Sequence, residues 1–133
     1  MYQVRLRHEQ GKLRQELTIG RHHLIADEPT SMGGDDEGPS PFEYLAAGLA
    51  SCTAITLRMY AQRKNWPLEN VEVQVTVEHG TEATTFSRQI ELIGQLLPEQ
   101  RERLIDIAGR CPVHKALTGK IEINTAFITK ADQ

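Results

Sequence analysis

Cys52 and Cys111 are the only two cysteines in 133 residues, and they are the chain's candidates for nucleophilic or redox chemistry. Their settings differ. Cys52 lies in "YLAAGLASCTAITL", residues 44–57, fourteen positions without a charge. Cys111 lies in "RCPVHKALTG", residues 110–119, between an arginine and a proline. A free cysteine behaves as a small hydrophobe, so Cys52 on composition alone reads as core filling. It falls three turns into its expected helix, beyond the reach of the N-terminal dipole, and a thiolate there needs a cation from elsewhere. Arg5, Arg7, Arg14 and Arg21 on the opening segment are the supply, with Arg14 taken as the thiolate partner. Cys111 is followed by a proline suited to the first helical position, which makes it an expected N-cap, where free amides and the positive helix end favour thiolate. Arg110 and Lys115 add charge, and His114 follows one turn on. On local electrostatics Cys111 ranks first. A zinc site needs a further clustered ligand pair and the sequence has no Cys-x-x-Cys, so no metal is expected. His114, His8, His22, His23 and His79 then read as surface residues.

The elements that must position these thiols follow from periodicity. Val4 and Leu6 alternate with Arg5 and Arg7, and Leu13, Leu17 and Ile19 keep the same period of two. A third short strand is expected over residues 23–26, then a loop rich in Gly, Pro and acid, "DEPTSMGGDDEGPSP" at residues 27–41. "SPFE" at residues 40–43 is a capping box, with Ser40 at the N-cap, Pro41 at the first helical position and Glu43 reaching back. That helix is expected to run to about Asn65, where Trp66 and Pro67 stop it. Val71, Val73, Val75 and Val77 alternate with polar residues, and residues 86–93 return as the second arm of a hairpin. Pro98 opens a second helix and Pro112 a third, which ends at Gly119. Ile121, Ile123, Thr125 and Phe127 have the spacing of a last strand. The order is βββ-α-ββ-αα-β, an α+β fold with antiparallel pairing, and one domain over residues 1–133 is expected.

Residues 44–57 offer no face fit for water, so that helix must be covered on all sides. About six strands and one more helix cover it thinly, which predicts an intertwined homodimer in which both sheets wrap each helix, in preference to a single sheet curled around the helix of a monomer. The net charge of −3 at pH 7 carries no basic footprint for nucleic acid. The start "MYQVRLRHEQG" has no apolar leader, and 14 uncharged residues are too few to span a bilayer, so a cytoplasmic protein without membrane association is expected. In that compartment thiols stay reduced, so no lasting structural disulfide is expected and only a transient, catalytic one fits.

"PFEYLAAGLASC" at residues 41–52 and "CPVHKALTGKIEI" at residues 111–123, on two helices in this order, resemble the OsmC/Ohr family of osmotically inducible and organic-hydroperoxide-resistance proteins. The "CPVHK" form is similar to the OsmC-like branch. The resemblance implies antiparallel sheets around a central buried helix, and a homodimer with two sites at the subunit interface. It implies a peroxidase in which Cys52 attacks an organic hydroperoxide and Cys111 resolves the product to a disulfide, reversing the electrostatic ranking. Peroxidase members carry a glutamate where this chain has Phe42, so Glu43, one place later, is the candidate for that supporting role. A dithiol reductant is implied, with no cofactor. Two other functions compete: a non-catalytic OsmC-like protein holding a small apolar ligand in its dimer cleft, and a redox sensor using the same cysteines stoichiometrically.

Overall fold

Helix α1, Pro41–Lys64, is the element around which the chain is organised. The computed structural model describes residues 2–128, so Met1 and residues 129–133 of the expected 1–133 unit lie outside the described residues. Glu43 accepts from the Ser40 amide and hydroxyl, each at 2.9 Å, which fixes the start of α1. Asn65 ends it in the left-handed conformation, φ 56°, donating to Ala61 and Gln62 carbonyls. Leu49, Thr53, Leu57 and Ala61, four residues apart, form its buried face.

Before α1 stand β1 (Arg5–Arg7), β2 (Gln15–Ile19) and β3 (His22–Ala26), an antiparallel sheet in the order β1-β2-β3. Ile19 pairs with His22 across a two-residue turn whose first position is Gly20 at φ 61°, the positive φ such hairpin turns require. After α1 come β4 (Leu68–His79) and β5 (Thr84–Gly94), a long antiparallel hairpin, then α2 (Pro98–Ala108) and α3 (Pro112–Thr118). The fold is α+β with antiparallel sheets.

The core gathers where α1, the hairpin and α2 meet. Leu57, Ala61, Leu68, Leu96, Leu104, Ile107 and Ala108 are buried together, with Tyr60, Trp66, Val71, Ile90 and Leu92 packed against them. Two arginines clasp it through backbone carbonyls. Arg58 of α1 donates to the carbonyls of Leu68 and Glu69 at 3.2 and 3.0 Å. Arg101 of α2 donates to those of Leu92 and Gly94 at 2.9 and 2.8 Å. Each guanidinium satisfies two acceptors in one plane, a task no other side chain performs as well. Gly94 sits at φ 144° where a Cβ would stand 2.2 Å from the Pro67 carbonyl oxygen. Gly94→Ala is therefore expected to cost about 2–3 kcal/mol and lower Tm by roughly 10 °C. Thermal unfolding measures it, and a shift under 2 °C would show that the β5 end relaxes freely.

The sheet β1–β3 does not join this core. Its ties to the rest include hydrogen bonds: the Tyr44 hydroxyl donates to the Ile25 carbonyl, and just past β3 the Asp27 amide donates to the Pro39 carbonyl at 3.0 Å. Leu6 is 55% exposed, and Val4, Leu13 and Leu24 are open as well. The far side of α1 is uncovered too, with Leu45, Ile55 and Met59 exposed. The last strand expected at residues 121–127 is not formed: residues 120–128 have no regular secondary structure, and Ile123 is 85% and Phe127 97% exposed. The alternation of Ile121 and Ile123 supplies one face, but a strand exists only through ladder bonds to a neighbour, and no strand among the described residues pairs with this segment. No helix among the described residues is long and apolar enough to cross a membrane.

Candidate functional site

Cys52 and Thr53 are consecutive on α1 and point about 100° apart, a geometry that sends one sulfur and one hydroxyl to different sides of the helix. Cys52 is half-buried, and its Sγ lies 4.0 Å from Thr56 Oγ1 one turn on. Leu45, Ile55 and Met59, at helical spacing around it, make the uncovered apolar stripe. At Gly48, one turn before Cys52, a Cβ would meet nothing within 4 Å. The thiol therefore faces open, greasy space.

Thr53 points inward to the second thiol. Cys111 is the N-cap of α3, as its place before Pro112 predicts, and its Sγ accepts from the His114 amide at 3.3 Å. It is 0% exposed and lies 3.9 Å from Thr53 Oγ1. So the fold carries Cys111 to the residue next to Cys52, with both cysteines as free thiols. Thr53 Oγ1 donates to the Leu49 carbonyl at 2.6 Å and accepts from Arg88 Nη1 at 3.0 Å. Arg88 Nη2 lies 3.1 Å from His114 Nδ1. Guanidinium only donates, so Nδ1 is the acceptor and the neutral ring carries its proton on Nε2.

Arg88 is the residue that sequence reasoning missed, although a signal existed. In β5, Phe86, Arg88 and Ile90 face inward and Ser87, Gln89 and Glu91 outward, so a charge stands in phase with the apolar positions. His114, read as a surface residue, is half-buried in the same network. A cavity of about 610 Å³ opens beside it, lined by Leu49, Phe86, Arg88, His114, Leu117 and Thr118 among others; Cys52 is not in its wall.

The other expected participants are engaged elsewhere within the chain. Glu43 serves the helix start: the Ser40 amide and then its hydroxyl hold its carboxyl below the ordinary value. Arg14 pairs with Glu16 at 2.9 Å and Glu37 at 3.2 Å, and the Glu16 bond holds its guanidinium the more firmly protonated. No hydrogen bond among the described residues joins Arg14 to Cys52. Asp27, Asp35 and Glu37 lie close together on the loop before α1. Burial opposes the charge of Asp27, but amides of Glu28, Glu37 and Asp35 outweigh it and hold its carboxyl below the ordinary value. It is the anchor of that loop.

A family model described as OsmC-like protein matches residues 34–126, a span that includes both cysteines. No curated protein matches the chain. Among solved structures, an OsmC-like protein from Mycoplasma pneumoniae is 20% identical, with 90% of this chain and 88% of that one aligned at a TM-score of 0.76. An organic hydroperoxide resistance protein OsmC from Legionella pneumophila is 23% identical over 90% of each chain, TM-score 0.64. The organic hydroperoxide resistance protein OhrB of Bacillus subtilis is 22% identical over 90% of this chain and 91% of that one, TM-score 0.61. At these identities the likeness is one of fold.

Proposed function

Because the chain belongs to the OsmC-like family, we propose that it is a thiol peroxidase that reduces organic hydroperoxides. The observation that carries this reading is the pairing of positions: a half-buried thiol on an open apolar stripe, and a second thiol packed against the very next residue of the helix. Two of the similar structures are of organic hydroperoxide resistance proteins. The Cys52 thiolate attacks the peroxide, the O–O bond breaks, and the alkoxide leaves and takes a proton as the alcohol. Cys52 is left as sulfenic acid. The Cys111 sulfur then attacks it, the S–S bond forms and water departs. A dithiol reopens that bond by exchange, becoming a disulfide itself and restoring both thiols. No metal or cofactor enters this balance. The leucine, isoleucine and methionine around Cys52 favour a greasy peroxide over hydrogen peroxide.

The cation for Cys52 falls to the opening segment, with Arg14, just before β2, the candidate, delivered at the interface of a homodimer that also covers the apolar stripe. Glu43, fixed at the start of the same helix, is the candidate acid beside that arginine. A chain that keeps two thiols free and needs a dithiol suits the cytoplasm. The cavity beside Arg88 favours a second reading, a carrier for a small ligand without turnover. Peroxide consumption separates them. With cumene hydroperoxide and excess dithiothreitol, the wild-type chain is expected to turn over many times and Cys52→Ser to fall to background. Equal rates for the two would remove the peroxidase reading.

A further inference from the structure

Arg88 makes no hydrogen bond to either sulfur among the described residues, yet it holds both residues to which the Cys111 sulfur is hydrogen-bonded. Its Nη1 donates to Thr53 Oγ1 and its Nη2 to His114 Nδ1. Cys111 Sγ contacts the Thr53 hydroxyl oxygen and the His114 amide. We propose that Arg88 is the positioning residue of Cys111, a bridge from β5 to α1 and α3 that fixes the buried thiol in one place. The role of Cys111 as resolving thiol rests on the function proposed above; the positioning does not.

The hydrogen count defines what the bridge does. Thr53 has one hydroxyl hydrogen, and the Leu49 carbonyl takes it at 2.6 Å. The oxygen therefore faces Arg88 and Cys111 only as an acceptor. The Cys111 hydrogen is directed at Thr53, while the His114 amide donates to the sulfur. Losing Arg88 frees the Thr53 oxygen of its strongest donor and the His114 ring of its partner, so both walls of the thiol site lose their fixed geometry.

The bridge carries this weight because α3 has little else to hold it. It is seven residues long and contributes no fully buried side chain. Helices this short are marginal without tertiary contacts. Two charge-assisted bonds from one guanidinium tie Thr53 on α1 to His114 on α3, and Cys111 at the α3 N-cap stays 0% exposed. For Cys111 to reach an oxidised Cys52, α3 must shift, and the Arg88 bridge sets how often it does.

The test reads Cys111 in the Cys52→Ser chain, where it is the sole cysteine, by its alkylation rate with iodoacetamide followed by mass. Arg88→Met, similar in length and without donors, is expected to raise that rate about tenfold or more. Arg88→Lys keeps the charge but not the two-pronged geometry, and an increase of about threefold is expected. In a chain already carrying Thr53→Val and His114→Leu both acceptors are gone, so Arg88→Met should add less than twofold. A rate within twofold of the parent for Arg88→Met overturns the proposal, as does an equal increase in the background lacking both acceptors. Should Arg88→Met fail to fold, Arg88→Lys alone decides, and a rate equal to the parent sinks the idea. A chain with no peroxide turnover leaves this measurement intact, so the two proposals fail separately.

Discussion

Cys111→Ser is expected to consume one equivalent of organic hydroperoxide per chain and leave Cys52 as sulfenic acid, with each further equivalent spent only on carrying that sulfur to the sulfinic and sulfonic acids. The wild-type chain under one equivalent is expected to lose two thiols and two mass units, through a disulfide between Cys52 and Cys111. The physical basis is that a disulfide requires Cα atoms within about 7 Å, and only the fold can bring together residues on α1 and α3. Cys111 is already packed against Thr53, one residue from Cys52, and the disulfide would require α3 to shift toward the Cys52 side of α1. Gly109 and Gly119, on either side of α3, are the positions where the chain can give. Multiple turnovers by Cys111→Ser would show that an external thiol resolves Cys52 directly. A Cys52 that stays reduced under excess peroxide would leave the fold without this chemistry, and the carrier reading would take its place.

The second large effect concerns assembly. A homodimer of twice the 15.0 kDa chain is expected by light scattering at micromolar concentration. Ile55 gives the discriminating variant, because in the single chain it is 58% exposed. On a lone chain Ile55→Glu would cost under about 0.5 kcal/mol, as exposed substitutions do. At a dimer interface it places an unpaired carboxylate on the apolar stripe, at a cost of several kcal/mol, and the dimer should dissociate or fail to form. A wild-type chain that scatters as 15.0 kDa, or an Ile55→Glu dimer as tight as the parent, would remove the interface from this face.

Local signals in the sequence reached far. The Ser40–Glu43 box, the proline at 41 and the stop at Asn65 placed α1, because caps are decided by residues within one turn of each other. The hairpin followed from alternation, and Cys111 as an N-cap followed from Pro112. The strand expected at residues 121–127 failed for the opposite reason: alternation describes a face, whereas a ladder needs a partner edge that no periodicity supplies. Arg88 was missed because its acceptors, Thr53 and His114, lie 35 and 26 residues away. Its inward phase marked it, but a partner at such separation cannot be read from phase alone. Arg14 stood out as a cation near the start, and its pairing to Glu37 across 23 residues was equally invisible.

The division between the core and the opening sheet bears on how the chain folds. Every buried residue of the apolar cluster lies between Leu57 and Ala108, within one segment of a single chain. Closure of that cluster is unimolecular. The strands β1–β3 lie before that stretch and bury only Leu17 and Ala26 of their apolar side chains, and an isolated small sheet with an open apolar face is marginal in water. If a second copy covers them, they order at the moment of encounter. Folding then splits into a first phase indifferent to concentration and a second whose rate rises with it, and a newly made chain stays half-structured until it meets its like.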